Sequence, residues 1–153
     1  MPTNVDKNTL EDMIIFDEGF RDTIYRDTEG FLTIGIGFCL DRIRMPENVA
    51  RFWLEEILAD TLEHLESTDD IFPIFEKLDT YRKMAIINMC YQMGVRGVHG
   101  FRNMWAALKK EDYDEAYREG KESSWYRQTP ERAERVLQVL KTNDLNSVYW
   151  GKS

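Results

Sequence analysis

A single stretch from Glu18 to Gly37 places the strongest constraint on how this chain can fold. It reads EGFRDTIYRDTEGFLTIGIG. Apolar residues recur at helical spacing just before it, and Gly19 is a natural place for that helix to end. The residues Thr28 to Gly30 then predict a tight turn between two short strands. A helix that leads directly into an antiparallel hairpin is typical of an α+β fold.

The second strand of this hairpin has two different faces. Period-two alternation from Phe31 to Phe38 predicts that one face packs on the core and that the other is more open. The predicted core face consists of Leu32, Ile34, Ile36 and Phe38, and the open face of Phe31, Thr33, Gly35 and Gly37. The two glycines on the face of Thr33 leave room for something to approach the sheet.

Two carboxyl groups flank this hairpin in different surroundings. Glu18 lies in the last turn of the predicted helix, where the negative end of the helix dipole favours its protonated form. Asp27 precedes the turn and is expected to stay solvated and ionised. One protonated and one ionised carboxyl group are the working parts of glycoside hydrolysis. Taken singly, the same acids could be a helix-end surface residue and a turn residue that accepts backbone hydrogen bonds, and Thr33 could be an ordinary strand residue.

Three blocks of sequence carry a resemblance to a known family. They are Asp17-Glu18-Gly19, Ile24-Tyr25, Asp27-Thr28-Glu29-Gly30 and Thr33-Ile34-Gly35-Ile36-Gly37; then Ala85, Ile87-Asn88-Met89, Gln92-Met93-Gly94, Gly97-Val98 and Gly100-Phe101; then Trp125-Tyr126, Gln128-Thr129-Pro130 and Arg132-Ala133. In order and nearly in spacing, these blocks resemble the T-even bacteriophage lysozymes, the muramidase-type endolysins. The resemblance covers most of the chain.

The resemblance implies a role for each matching residue. Glu18 would protonate the leaving glycosidic oxygen, while Asp27 and Thr33 would position the attacking water, an arrangement that implies inversion at the anomeric carbon. Arg132 matches a family arginine near the catalytic glutamate and is expected to pair with Glu18. The bond cut would be the β-1,4 link between N-acetylmuramic acid and N-acetylglucosamine in bacterial peptidoglycan. No cofactor is implied, because acid-base chemistry on an acetal needs none.

Four further positions match substrate contacts of the family but carry altered side chains. Cys39 stands at an apolar saccharide contact and Tyr91 at an aromatic one. Met104 replaces a small hydroxyl residue and Glu119 replaces an asparagine. The resemblance makes all four substrate-binding residues, with an ordinary packing or surface role as the alternative for each. A different departure is Phe38, which stands where the family has a histidine paired with an aspartate on its bridging helix.

The whole chain is expected to form one domain with a lysozyme-like, mostly helical α+β fold. Its length of 153 residues and 42% hydrophobic content suit a single globular core. A small β-hairpin lobe (about 19–45) is joined by a long helix (about 46–67) to a helical lobe (about 68–153). The N-terminal helix (9–18) is expected to belong with the helical lobe.

Local patterns predict several helix boundaries. Thr9 is the expected cap of the first helix, with Asp12 completing a weak capping pattern. The bridging helix should turn its apolar side inward, namely Val49, Phe52, Trp53, Ile57, Leu58, Leu62 and Leu65. Further helices are predicted over 78–93, 101–109 and 112–120, from Thr129-Pro130 onward, and near the C-terminus. The glycines Gly94, Gly97 and Gly100 are expected to form short turns.

Composition limits the compartment and partners of the protein. A net charge of −8 argues against nucleic acid as a partner, because a phosphate footprint needs clustered Lys and Arg. No apolar signal-peptide run or membrane-spanning segment is present in the sequence. The chain is therefore expected to be made as a soluble cytoplasmic protein. The resemblance implies a monomer that stays in the host cytoplasm until lysis and acts on the wall in the periplasm after release. Cys39 and Cys90 are predicted to be free thiols, and His64 and His99 have no ligand-like neighbours that would indicate a metal site.

Two rival functions remain open from the sequence. A lytic transglycosylase uses a single glutamate and makes anhydro-sugar products, and the presence of both Asp27 and Thr33 counts against it. The other rival is a non-catalytic peptidoglycan-binding or virion structural protein that kept the fold. The acidic charge and the altered contacts make it conceivable, while the complete set of Glu18, Asp27 and Thr33 counts against it.

Overall fold

The computed structural model describes residues 6–151 and confirms the mostly helical α+β class. The chain divides into two compact units, Met1–Ala50 and Arg51–Ser153. Its elements in chain order are α1 (Lys7–Glu18), β1 (Arg21–Arg26), β2 (Leu32–Gly35), β3 (Phe38–Cys39), α2 (Glu47–Glu66), α3 (Phe72–Glu76), α4 (Thr80–His99), α5 (Arg102–Lys109), α6 (Tyr113–Lys121), α7 (Ser124–Gln128), α8 (Pro130–Thr142) and α9 (Leu145–Trp150). None of the helices between residues 6 and 151 combines the length and apolar character needed to cross a membrane.

Helix α1 begins earlier than predicted because a different residue caps it. The carboxylate of Asp6 accepts a hydrogen bond from the backbone N–H of Asn8 at 3.2 Å and another from the hydroxyl of Thr9. Thr9 therefore lies inside the helix, and its prediction as the cap was wrong. An aspartate ahead of the first turn satisfies the free N–H groups there, which is what a cap must do. The C-terminal end at Gly19 follows the prediction, with φ +75°.

The first unit contains a three-stranded antiparallel sheet in the order β1-β2-β3. The predicted hairpin is confirmed, since Tyr25 pairs with Thr33 across β1 and β2. The second strand does not run on to Phe38 as predicted. It ends at Gly35, and the chain turns back so that Ile34 pairs with Phe38. The glycines Gly35 and Gly37 have φ values of +70° and +67°, which side chains rarely adopt, so the glycine spacing encodes a second turn.

The burial predicted for the two faces of β2 is reversed at Leu32 and Thr33. Thr33 is only 2% exposed, whereas Leu32 is 40% exposed. Thr33 lies on the central strand between Tyr25 of β1 and Cys39 of β3. Neighbours on both sides therefore enclose it, which the alternation pattern of one strand could not show.

Helix α2 has the predicted extent but not the predicted burial. Leu65 is fully buried, whereas Phe52 and Trp53 are 65% and 47% exposed, so the prediction that both turn inward was wrong. The core of the second unit begins at Leu65 and is otherwise built from later helices. Helices α4 and α8 supply most of it: Ala85, Ile86, Met89, Cys90, Val95, Val98, Ala133, Val136, Leu137, Val139 and Leu140.

Gly94 interrupts α4, as the sequence indicated. Its φ of +79° and ψ of 157° are not helical, and they separate two helical segments. Gly97 lies within the second segment, so the turn predicted there was wrong, whereas Gly100 lies in a turn at the end of α4. Helix resumes over residues 95–99, where the buried Val95 and Val98 anchor it to the core. Packing thereby outweighs the weak helix propensity of glycine.

Arg82 of α4 is a polar group within this helical core. Its Nε donates to the carbonyl of Leu140 at 2.7 Å, and its Nη2 donates to that of Lys141 at 2.9 Å. Nη1 pairs with the carboxylate of Asp79, and the guanidinium lies 3.5 Å from the ring centre of Tyr113. One side chain thus satisfies carbonyls in the last turn of α8, where no further helical N–H follows.

The cysteines and histidines have different surroundings from one another. Cys39 and Cys90 are free thiols, as predicted, and burial raises the pKa of Cys90 to about 12. His99 is not isolated: its Nε2 lies 2.7 Å from Oδ2 of Asp70. That hydrogen bond, followed by the charge of His99, holds the pKa of Asp70 below its usual value. The second unit thus has its own His–Asp pair, although Phe38 removes the family's pair.

Candidate active site

Glu18 is the last residue of α1, and its carboxyl group lies against the turn between β2 and β3. The backbone N–H of Gly19 closes the helix by donating to the carbonyl of Ile15 at 2.7 Å. A Cβ built on Gly37 would lie 2.9 Å from Cδ of Glu18 and would overlap its carboxylate oxygen Oε2. The main chain of Gly37 therefore forms one side of the place where the Glu18 carboxyl group rests.

Asp27 is fixed by the hairpin turn. Its Oδ1 accepts hydrogen bonds from the backbone N–H groups of Glu29 at 2.9 Å and Phe31 at 2.8 Å. The backbone N–H of Gly30 donates to the Asp27 carbonyl at 3.0 Å and closes the same turn. Asp27 thus accepts backbone hydrogen bonds in a turn, which is the alternative role that the sequence left open for it. They also fix the direction of its carboxyl group and involve only one of its two oxygens.

Thr33 is connected to Asp27 through the main chain of Phe31. The Thr33 hydroxyl donates to the Phe31 carbonyl at 3.0 Å, and the Phe31 N–H donates to Asp27 Oδ1. Because the hydroxyl donates its hydrogen bond to a carbonyl, its oxygen remains able to accept a hydrogen bond from another group. Asp27 and Thr33 are therefore oriented by the same residue, and neither depends on a mobile side chain for its position.

The other predicted site residue of the first unit is Cys39. It pairs with Thr33 across β2 and β3 and is half-buried. The first unit therefore contains Glu18, Asp27, Thr33 and Cys39 on the helix end and the sheet that follows it. The substrate contact predicted for Cys39 stays a prediction.

Arg132 has a partner within the second unit. Its Nε and Nη2 donate to Oδ1 of Asn88 at 3.2 and 2.9 Å. Arg132, Asn88 and Tyr91 line a largely apolar concavity of about 480 Å³. Sequence reasoning did not single out Asn88 as a functional residue, although it belongs to a matched block. The pairing of Arg132 with Glu18 stays a prediction.

Met104 and Glu119 line a second concavity in the same unit, of about 410 Å³. Met104 is only 1% exposed, so most of its side chain packs in the core. Burial and then a hydrogen bond with Glu115 raise the pKa of Glu119, against an opposing bond with Asn103. An acid here, where the family has an asparagine, gives this concavity a more negative rim. The substrate contacts predicted for both residues stay predictions.

The sequence did not indicate what the glycines of the second turn would approach. It predicted open space beside Thr33. In the structure, the space above Gly37 is filled by Glu18, and a Cβ on Gly35 would lie 2.8 Å from Cδ2 of Phe38. The repeat Gly35-Ile36-Gly37 was the available signal, since two glycines around one apolar residue are typical of a turn that something packs against. Within residues 6–151, no three His, Cys, Asp or Glu side chains are grouped as metal ligands.

Comparison with known proteins identifies the class of protein to which this chain belongs. The family model described as phage lysozyme matches residues 16–142, which include α1's end, the sheet and the helices as far as α8. The chain therefore belongs to the phage lysozyme family. This membership makes it a glycoside hydrolase, specifically a lysozyme-like peptidoglycan hydrolase.

The similarity to curated relatives covers most of this chain, but this chain spans very different shares of their lengths. A protein named probable T4-type lysozyme 1, from Dictyostelium discoideum, is 34% identical over 92% of this chain and 98% of its own length. The pre-baseplate central spike protein Gp5 of Enterobacteria phage T4 is 33% identical over 96% of this chain, which spans only 30% of that protein. A peptidoglycan hydrolase, gp36 of Pseudomonas phage phiKMV, is 28% identical over 80% of this chain, which spans 14% of that protein.

Proposed function

We propose that this lysozyme cleaves the β-1,4 bond between N-acetylmuramic acid and N-acetylglucosamine with inversion at the anomeric carbon. The observation that carries the proposal is the arrangement of three side chains at the end of α1, in the hairpin turn and on β2. The Glu18 carboxyl group lies against Gly37, while Asp27 and Thr33 both form hydrogen bonds with the main chain of Phe31. All of these residues lie within the segment that matches the family.

In the proposed reaction, each side chain has a distinct task. Glu18, protonated, gives its proton to the glycosidic oxygen as the bond to the anomeric carbon breaks. A water attacks that carbon from the opposite face of the sugar. Asp27 accepts one proton of this water through the oxygen that its turn does not use, and the Thr33 oxygen accepts the other in a hydrogen bond. The products are two sugar chains, one with a new reducing end and one with a new hydroxyl group.

The geometry of Asp27 supports a base rather than a nucleophile. A nucleophilic carboxylate must reach the anomeric carbon directly, whereas a base needs room for a water between itself and the sugar. Two hydrogen bonds from the main chain of its own turn fix the Asp27 carboxylate in place. Thr33 provides a second hydrogen-bond acceptor for the water. If Asp27 attacked the sugar directly, Thr33 would have no role in the reaction.

As its biological setting, we propose that the protein acts as an endolysin-type muramidase. It would be held as a monomer in the host cytoplasm and would reach the peptidoglycan after release, as the phage lysozyme family suggests. One sequence relative, Gp5, is a spike protein. That likeness supports attachment to a virion as the second setting. Fractionation of infected cells and of purified virions with an antibody to this chain would separate the two settings.

The products released from purified peptidoglycan test the chemistry. We expect mass spectrometry to show disaccharide-peptide fragments with ordinary reducing ends. Proton NMR, recorded in the first minutes before mutarotation, should show the α-anomer of the new reducing end, because inversion of a β bond gives α. Anhydro-muramic products would instead establish a transglycosylase. Binding without release of fragments would make this a protein that holds the wall and does not cut it.

The net charge of −8 predicts an unusual response to salt. Bacterial walls carry anionic polymers, so like-charge repulsion should slow association at low ionic strength, and added salt should screen it. We expect the rate of wall clearing to rise or hold between about 10 and about 150 mM salt, where a basic homologue slows. Walls stripped of their anionic polymers should show a weaker dependence and serve as the control. A steep loss of activity with salt would contradict this prediction.

A further inference from the structure

The turn between β2 and β3 approaches the Glu18 carboxyl group at a position that no side chain can share. Gly37 has φ +67°, and a methyl group on its Cα would come within 2.9 Å of Cδ of Glu18. Carbon atoms that are not bonded pack at about 3.5 to 4.0 Å, so one of the two groups would have to move.

The Glu18 side chain is the part that would give way. The main chain at Gly37 is held between two paired positions, because Ile34 pairs with Phe38 on either side of the turn. Glu18 ends its helix, and its carboxyl group can rotate about several single bonds at small cost. A side chain at position 37 would therefore displace the carboxyl group and leave the sheet largely unchanged.

We infer that Gly37 is a positioning residue of this lysozyme, whose missing side chain lets the Glu18 carboxyl group rest where it protonates the glycosidic oxygen. This inference rests on the function proposed above and deepens it. Gly37 makes no bond to the reacting atoms and acts through Glu18. A displacement of about 1 Å in a reacting group can cost about 100-fold in rate, so a single methyl group is enough to matter.

The contact with Glu18 separates Gly37 from the other glycines that have positive φ. At Gly35, an added Cβ would meet the ring of Phe38. At four others, an added Cβ would meet nothing within 4 Å: Gly19, Gly30, Gly94 and Gly151. Backbone strain is therefore common to all these positions, while contact with the proposed acid distinguishes Gly37. Gly94 provides a control for an added side chain at positive φ, because its φ is +79° and a Cβ there would meet nothing within 4 Å.

The kinetic test compares Gly37→Ala with Gly94→Ala in the full chain. We expect Gly37→Ala to lower kcat by about 100-fold with little change in KM, because the acid is displaced while the binding surface is kept. Gly94→Ala should keep kcat within a few-fold of the unmodified protein, and thermal unfolding should show that both variants are folded. Equal kcat values for the two variants would overturn the inference.

A spectroscopic test does not depend on turnover. The NMR resonance of the Glu18 carboxyl carbon is assigned by its loss in Glu18→Gln, and its shift is followed against pH in each glycine variant. We expect the titration curve to change in Gly37→Ala and not in Gly94→Ala, since only the first alters the surroundings of the carboxyl group. An unchanged curve in Gly37→Ala would overturn the inference.

Activity of the two variants separates failure of this inference from failure of the proposed function. If Glu18→Gln keeps full activity, the proposed function itself fails. If Glu18→Gln is inactive and Gly37→Ala is active, only the role of Gly37 fails.

Discussion

Glu18→Gln should lower the release of peptidoglycan fragments by about 100-fold to 10,000-fold, the contribution typical of a general acid. The amide has nearly the shape of the carboxyl group but cannot deliver a proton to the leaving oxygen. Glu18 occupies the end of α1, where the helix dipole disfavours a negative charge, so the neutral amide is compatible with the fold. Product release is measured by chromatography of soluble fragments, and binding is measured by co-sedimentation with insoluble walls.

Asp17→Asn is the matched control for this experiment. Asp17 is the neighbouring acid in the same helical turn and is exposed. Its replacement exchanges a carboxyl group for an amide in the same helical turn, without touching the proposed acid. We expect it to retain activity within a few-fold and Glu18→Gln to bind walls normally. Comparable activity in both variants would mean that Glu18 is not the acid.

Arg82→Met should cause the largest loss of stability of any change considered for this chain, about 3 kcal/mol or more. Its guanidinium satisfies the carbonyls of Leu140 and Lys141, and its side chain is only 11% exposed. Methionine fills part of the space but leaves those carbonyls without their donors. Arg82→Lys should also be destabilising, because one ammonium group cannot reproduce the fork of the guanidinium. The free energy of unfolding is measured from urea titrations.

Arg118→Met is the control for Arg82→Met. Arg118 also pairs with an acid three residues away, Glu115, but its side chain is 61% exposed. Solvent screens an exposed ion pair, so this variant should unfold at nearly the same urea concentration as the unmodified protein. Equal losses in the two variants would show that the carbonyl contacts of Arg82 contribute little, and that its ion pair with Asp79 accounts for the effect.

The match between sequence and structure is closest where a single residue type has one local use. Gly19 ends α1 and Gly94 breaks α4, since each needs a backbone conformation that favours glycine. The hairpin turn at 28–30 follows from the same kind of chemistry. The errors arose where two local signals competed. Thr9 is a good cap by type, but Asp6 precedes it and takes that role.

Alternation along one strand could not decide which face of β2 is enclosed. That depended on β3, whose existence was hidden because the second turn at Gly35 to Gly37 continued the alternating pattern of β2. The same limitation applies to α2, where helical periodicity identified an apolar side but not the length over which the core covers it. In α2, Leu65 lies in the core formed with the later helices, and Leu62 packs against that core.

The sequence by itself determined the class of the protein through its resemblance to a family. It also indicated the residue types proposed for the chemistry, because an acid before a glycine, an acid in a turn and a threonine on a strand are local features. The tertiary structure alone decided how those residues are held. Phe31 orients both Asp27 and Thr33 through its own peptide groups, and Gly37 bounds the position of Glu18. Such contacts depend on how a helix end and two turns meet in space, which spacing along the chain does not specify.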